Sequence, residues 1–288
     1  MEPDRSRFDV RGDDDTDSEP DRWLAAGLLV LAAGVAGNSL LGPLAAGVVD
    51  YPLSETLVNQ TIGLEAVSLA IVAPWSAAAA VLAFRGHREG PVAAVPAAAY
   101  AAYMFIQYVV GPQYLEYRPI VALHLGIFVL SGGVLLRAWN RISVDHLPVL
   151  SRRQELVFAT VLLLLAGFTV SRYAPAFQGL GSGGAIPAEY GDDPSMYWSI
   201  FLLDLGVVVP VTLGAGWGLV RGAAWARKAV YGIVGWFALV PISVSAMSIT
   251  MVLNDDPNVA VGNAVGLGVV ALLFTAVAAW LYRPLLQS

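Results

Sequence analysis

Long runs of apolar residues, separated by short polar connections, occupy most of the chain after its first 22 residues. Eight of these runs reach roughly the 20 residues that an α-helix needs to cross about 30 Å of hydrocarbon. We place them near 23–49, 61–84, 91–111, 119–139, 155–174, 197–220, 229–253 and 259–282. The pattern therefore predicts an all-α integral membrane protein, with eight transmembrane helices in a membrane domain over residues 23–283.

The composition agrees with this prediction. Hydrophobic residues make up 57% of the 288 residues and charged residues 13%, against about 25% charged residues in soluble domains. Cysteine is absent from the sequence, which excludes disulfides and thiolate metal sites. Residues 1–22 are instead rich in charge and poor in apolar side chains, so they are predicted to form a disordered acidic tail, with a docking segment as the alternative.

The basic residues give the predicted spans an orientation. With the N-terminus in the cytoplasm, fourteen of the 16 arginine and lysine residues fall on the cytoplasmic side, and only Arg118 and Arg172 lie outside. Membrane proteins keep such an excess of positive charge in their cytoplasmic loops. We therefore expect a multi-pass protein of the plasma membrane with both termini in the cytoplasm.

Two of the predicted spans resemble each other. APWSAAAAVLAFRG (73–86) aligns without gaps with VPVTLGAGWGLVRG (209–222), which pairs Pro74 with Pro210 and Arg85 with Arg221. A duplication would divide the domain into two parallel four-helix halves, 23–142 and 151–283, related by an axis along the membrane normal. Chance similarity between helices rich in alanine, valine and leucine is the other explanation.

Polar residues inside the spans concentrate in the outer half of the predicted domain. Asp204, in FLLDLGVVVP, lies roughly 10 Å below the outer boundary, where a carboxylate costs about 2.5–3.5 kcal/mol to insert. The other members of this layer are Glu65, Arg172, His124, Gln107 and Tyr108. This clustering predicts an outward-facing polar pocket that binds a small solute or couples to a proton or another ion.

Each of these residues also has a structural interpretation. Arg172 could simply pair with Asp204, and Glu65, predicted in the first turn of its helix, could complement the helix dipole. A metal site of Glu65, His124 and Asp204 is a weak alternative, because the HExxH spacing is missing. Nothing in the sequence indicates a cofactor, and the arginine-rich loops follow from topology without a nucleic-acid partner.

Two stretches, YAAYMFIQYVVG (100–111) and LLDLGVVVP (202–210), resemble a group of prokaryotic polytopic membrane proteins that has no assigned activity. That group carries a Tyr-x-x-Tyr-Asn-Tyr-x-x-Tyr-x-x-Gly helix, which Tyr100, Tyr103, Tyr108 and Gly111 match here. Met104 and Phe105 replace its asparagine and one tyrosine. The resemblance covers about a third of the chain and implies the architecture alone.

Three functional hypotheses remain open from the sequence. The first is a small-solute or ion-coupled transporter that uses the polar layer. The second is a membrane-embedded enzyme with an outward-facing acid, base or metal site, and the third is a non-catalytic sensor or assembly component. The sequence predicts the lipid bilayer as a partner in all three cases, and it favours the transporter.

Overall fold

The computed structural model describes residues 19–259 and 261–287, and within them the fold is entirely helical. Eight of its helices are long and apolar enough to cross a membrane, as the sequence predicts. They are α1 (Arg22–Leu41), α2 (Glu55–Phe84), α3 (Glu89–Val110), α4 (Pro119–Arg141), α5 (Arg152–Ser171), α6 (Pro194–Val220), α7 (Ala224–Leu253) and α8 (Val261–Leu286). The predicted tail lies outside the described residues up to position 18; of its last residues, Asp21 is buried and Arg22 begins α1.

The first span is shorter than predicted. We expected a helix to residue 49, with Pro43 inside it, but α1 ends at Leu41. Gly42 adopts an extended conformation, and Pro43 has no N–H with which to continue the hydrogen-bond ladder. The chain then forms an irregular connection over residues 42–54 that folds back onto the bundle.

The second span is longer than predicted. Its helix begins at Glu55 rather than near 61, because the mostly polar residues 55–61 turn towards other helices and are largely buried. Glu65 therefore lies nearly three turns inside α2. The prediction that Glu65 occupies the first turn and complements the helix dipole was wrong.

Helix α3 is the centre of the bundle. Two thirds of its apolar window is buried, 67%, against 17% for α8 and 22% for α4. Helices α2, α4 and α7 pack against α3, and α6 contacts it at one end. Side chains that project from α3 can therefore reach several other helices.

Ion pairs close one end of the bundle, which we call the basic end. The buried Asp21 caps α1 through Leu24 N–H and binds Arg137 at 2.7 Å and Arg141 at 3.1 Å on α4. Burial acts to raise the pKa of Asp21, but the hydrogen bonds and charges of these two arginines and the Leu24 N–H hold it below its ordinary value. The carboxylate therefore stays ionised, which ties the start of α1 to the end of α4.

A second buried acid has the same role in the other half of the chain. Glu155, in the first turn of α5, binds Arg227 of α7 at 2.8 Å and Arg152 at 3.2 Å. Arg152 also donates to the carbonyl oxygens at the end of α6. The starts of α1 and α5 are thus fixed by one buried carboxylate each.

Hydrogen bonds to acidic side chains close the opposite end, which we call the acidic end. Asp256, just after α7, accepts hydrogen bonds from Thr56 at 3.1 Å and Asn59 at 2.9 Å on α2. Asp193, before α6, accepts one from the Ser54 N–H at 2.8 Å. These contacts bring the starts of α2 and α6 to the same end of the bundle.

Helices α2 and α6 contain the same irregularity. Each includes one π-helical turn, at Ser68–Val72 and Asp204–Val208, where the residue before the proline donates its N–H five positions back. The turns stand at equal distances before Pro74 and Pro210. Since proline lacks an N–H, the wider turn relieves the interrupted hydrogen-bond ladder.

The two helices also end alike. Arg85 and Arg221 have nearly equal dihedral angles, with φ of −81° and −84° and ψ of −4° in both. Gly86 and Gly222 follow with φ of 80° and 69°, a conformation that favours glycine. The correspondence covers α2 and α6; a duplication of the complete halves stays a prediction.

Candidate functional site

Asp204 occupies the first position of the π-helical turn in α6 and is only 2% exposed. Its Oδ1 atom accepts a hydrogen bond of 2.6 Å from the Tyr103 hydroxyl of α3. Its Oδ2 atom accepts one of 2.7 Å from the Tyr173 hydroxyl, just after α5. Both carboxylate oxygens are thus held by phenolic donors, and hydrogen bonds to an ionised acceptor are among the stronger ones in proteins.

Arg172 is the nearest counter-charge of Asp204, but their contact is long. Its Nη1 atom lies 3.7 Å from Asp204 Oδ2, and its side chain is 42% exposed. At that distance and exposure an ion pair contributes little through direct hydrogen bonding. The two tyrosines hold the carboxylate in position, while Arg172 supplies a positive charge at the surface side of it.

Glu65 is buried in a second cluster, at 1% exposure, on α2. Its Oε1 atom accepts a hydrogen bond of 3.1 Å from the Tyr51 hydroxyl, and its Oε2 atom accepts one of 3.1 Å from the Leu44 N–H. The backbone of Gly42 packs directly on the carboxylate, since a Cβ atom there would lie 2.0 Å from Oε1. All three contacts come from the connection between α1 and α2.

His124 of α4 reaches the Glu65 cluster through two intermediate side chains. Its Nε2 atom lies 2.9 Å from Asn38 Oδ1, and Asn38 Nδ2 donates to the Tyr51 hydroxyl at 3.2 Å. The His124 ring is fully buried, and its Nδ1 atom lies near the backbone of Tyr108 without a well-formed hydrogen bond. A continuous series of polar contacts thus runs from His124 through Asn38 and Tyr51 to Glu65.

Aromatic rings enclose this series. Tyr51, Tyr108 and His124 contact one another, with centroid distances of 5.1 Å for Tyr51–Tyr108, 5.8 Å for Tyr51–His124 and 5.1 Å for Tyr108–His124. Phe105 contacts both Tyr108, at 5.6 Å, and His124, at 5.7 Å. The rings exclude water from the polar series and fix the Tyr51 hydroxyl beside Glu65.

Gln107 and Tyr108 occupy α3 between the two carboxylate clusters. Gln107 Nε2 donates to the Tyr103 carbonyl at 2.9 Å, so it contacts neither carboxylate. Tyr108 contributes its ring to the Glu65 cluster, whereas Tyr103, five residues earlier, binds Asp204. The predicted polar layer therefore consists of two separate clusters joined by α3.

Both carboxylates are sealed from the surface. Two cavities lie instead at the basic end, and the larger of the two, of about 170 Å³, is lined by Asp21, His87, Arg141 and His146 among others. In this structure the two carboxylates are therefore buried side chains and do not line an open pocket.

The weak metal candidates do not converge in one place. Glu65 and His124 share a cluster, but Asp204 belongs to the other. Within residues 19–259 and 261–287, no three histidine, aspartate or glutamate side chains form a group suited to a metal ion.

The sequence did not single out Tyr51 and Asn38. Tyr51 follows a segment that was predicted to be helical, and Asn38 was predicted to lie in the middle of a span. The Gly42-Pro43 pair was the available signal, because it ends a helix and allows the following residues to fold back. Tyr103 and Tyr173 lie in predicted spans, but their shared acceptor is not apparent from sequence spacing.

Comparisons with known proteins identify no relative of this chain. The chain matches no protein-family model, and neither the curated protein sequences nor the solved structures compared with it show a match. The resemblance to a group of prokaryotic membrane proteins therefore stays a prediction, and the functional argument depends on the geometry of the site.

Proposed function

We propose that this polytopic membrane protein is an ion-coupled carrier for a small solute. The observation that supports it most strongly is the pair of sealed carboxylates, Glu65 and Asp204, inside two membrane-spanning helices. Well-packed apolar residues often stabilise a protein as much as buried charged groups do, so stability is a weak explanation for the two carboxylates. Ionisable groups at such depth typically mark ion or proton pathways.

The two π-helical turns supply the mobility that a carrier needs. Such turns weaken the regular hydrogen-bond ladder and often occur at functional positions. Asp204 is part of one turn, and Glu65 lies three residues before the other. A change of charge at either carboxylate would therefore act close to the point where its helix bends most easily.

The proposed location is the plasma membrane. The acidic end would face the outside of the cell, and the basic end would face the cytoplasm. The excess of arginine at the basic end supports this orientation. The coupled ion would then reach both carboxylates from the outer aqueous phase. The ion pairs of Asp21 and Glu155 would hold the inner end closed. Transport would proceed by movement of one part of the bundle against the other.

A membrane-embedded enzyme is less well supported. An external substrate would have to reach Glu65, His124 or Asp204, and each of these side chains is at most 2% exposed. A carrier, in contrast, needs these groups to be exposed to water only transiently, during part of its transport cycle. No described contact favours a sensor over a carrier.

Uptake of an isotope-labelled metabolite mixture by cells tests the proposal. Cells that express the wild type, Asp204→Asn or an empty vector receive uniformly labelled amino acids, sugars, nucleosides and organic acids. We expect the wild type to accumulate at least one component and Asp204→Asn to fall to the level of the empty vector. Asp192→Asn, an exposed acid shortly before α6, is the matched control and should transport normally.

Equal membrane amounts of folded protein, measured by in-gel fluorescence and size exclusion, are the condition for this comparison. Full uptake by a well-folded Asp204→Asn protein would contradict the proposal. So would a wild type that accumulates none of the labelled compounds above the vector.

A further inference from the structure

Of the buried acids inside the described membrane-spanning helices, Glu65 is the one without a cationic partner; Asp193 and Asp256 also lack one, but they lie in connections at the acidic end. Asp21, Glu155 and Asp204 each have at least one arginine within 4.0 Å. Glu65 has only the Tyr51 hydroxyl and the Leu44 N–H, and no ion pair of the described residues includes it. A carboxylate in hydrocarbon without a counter-charge is strongly disfavoured, and binding a proton removes the charge.

We propose that Glu65 is the proton-exchanging group of the carrier and that Asp204 keeps a fixed negative charge. This inference rests on the proposed function for its biological meaning, but the protonation itself can be measured without a solute. In the step, a hydronium ion from the acidic end gives its proton to a Glu65 oxygen and leaves as water. The carboxylate becomes a neutral carboxylic acid, and the reverse step restores it.

The Tyr51 hydroxyl can serve both forms of Glu65. It lies 3.1 Å from Glu65 Oε1 and 3.5 Å from Asn38 Oδ1, so it has an acceptor on each side. With Glu65 ionised, Tyr51 donates to Glu65 and accepts from Asn38 Nδ2. With Glu65 protonated at Oε1, the new O–H donates to the tyrosine oxygen, and Tyr51 turns its own O–H towards Asn38.

Access to Glu65 is controlled by a thin layer of chain. The connection over residues 42–54 covers the carboxylate with the Gly42 backbone and the Tyr51 ring. Ala45–Val48 and Asp50, in the same connection, are exposed. A small outward movement of this segment would expose Glu65 to water while the helices of the bundle remain in place.

The groups around Glu65 from each neighbouring element are neutral or weakly titratable. The connection contributes Tyr51, α1 contributes Asn38, α3 contributes the Tyr108 ring, and α4 contributes His124. Helix α7 meets α2 at Gly63 through the backbone of Ala246. His124 is the one titratable cation of this set, and it is separated from Glu65 by Asn38 and Tyr51.

Infrared difference spectroscopy of the full-length protein in lipid tests the assignment directly. Spectra at pH 6 and pH 9 are subtracted, because ordinary carboxyl groups, with pKa values of about 4, stay ionised throughout this range. We expect a protonated-carboxyl C=O band in the wild type, its loss in Glu65→Gln and its retention in Asp204→Asn. Glu55→Gln, an exposed acid in the first turn of the same helix, is the matched control and should keep the band.

Two further variants keep the test decisive. Burial raises the pKa of Glu189, outside the spans, so Glu189→Gln identifies any contribution from that side chain. Tyr51→Phe keeps the aromatic stacking but removes the donor to the carboxylate, so the midpoint of the band should move to higher pH by about one unit. If Glu65→Gln does not fold, the shift of the midpoint in Tyr51→Phe still shows whether the band belongs to Glu65.

Three results would overturn the assignment: no band in the wild type, a band that Asp204→Asn removes and Glu65→Gln keeps, or an unchanged midpoint in Tyr51→Phe. The spectra need no transported compound. A band at Glu65 in a protein that accumulates no metabolite would therefore support this inference while the carrier proposal fails. Solute uptake by a protein without the band would support the carrier proposal and contradict the assignment of Glu65.

Discussion

The Glu65 and Asp204 sites are alike in burial and differ in charge compensation. Each carboxylate is at most 2% exposed, lies at or next to a π-helical turn, and accepts a hydrogen bond from a tyrosine outside its own helix. Asp204 has two tyrosines and an arginine, whereas Glu65 has one tyrosine, one backbone N–H and no arginine.

This difference assigns the two acids different tasks. The two phenolic donors and the nearby arginine suit the fixed charge proposed above for Asp204. The Glu65 surroundings stabilise ionisation less, and Tyr51 can adapt to either form. A pair of similar sites on similar helices would thus combine a constant charge with an exchangeable one.

The largest expected effect comes from the backbone contact that only Glu65 has. Gly42→Val places a side chain where Glu65 Oε1 now lies, 2.0 Å from the position of the added Cβ. We expect the free energy of unfolding to fall by about 3 kcal/mol through overpacking, as measured by denaturation in mixed micelles. Gly37→Ala, on α1 with open space at its Cβ, is the control and should not destabilise. Equal stability of the two variants would contradict the described packing of the connection on Glu65.

A smaller effect separates the tyrosines of the two sites. Tyr103→Phe removes a hydrogen bond of 2.6 Å to Asp204 and should lower the free energy of unfolding by about 2 kcal/mol, the range for hydrogen bonds to charged groups. Tyr51→Phe should lower it by about 1 kcal/mol or less at pH 6, because a protonated Glu65 no longer presents a charge. The same denaturation assay measures both. A greater loss in Tyr51→Phe than in Tyr103→Phe would show that Glu65 is the fixed charge.

The smallest effect is expected at Arg172. Its 3.7 Å contact and its exposure predict a coupling free energy with Asp204 of at most about 1 kcal/mol. A double-mutant cycle of Arg172→Gln and Asp204→Asn measures this coupling. A coupling of several kcal/mol would instead mean that the pair is a structural ion pair and that the tyrosines are secondary.

The membrane spans could be predicted from the sequence because one-dimensional hydrophobicity determines them. Eight runs of sufficient length correspond to the eight helices, and the Gly-Pro and Arg-Gly pairs mark several ends. The ends of α1 and the start of α2 were misplaced for a physical reason. Residues 42–49 are mostly apolar but form the connection, and residues 55–61 are mostly polar but helical, so hydropathy could not separate span from connection there.

The site could be predicted only as a set of polar residues at one level. Depth along a helix follows from residue counting, which brought Asp204, Glu65 and His124 into one layer. The rotation of each helix and the path of the connection decide which of them touch. The hydrogen bonds of Tyr51 with Glu65 and of Tyr173 with Asp204 follow from that arrangement, and no local pattern encodes it.

Proton movement on addition of solute is the most direct test of the carrier itself. Liposomes that contain the purified protein and an internal pH-sensitive dye receive the metabolite mixture from outside, at equal pH on both sides. The account predicts that the interior acidifies with the wild type, and that neither Glu65→Gln nor protein-free liposomes respond. A folded, reconstituted wild-type protein that leaves the internal pH unchanged would contradict it.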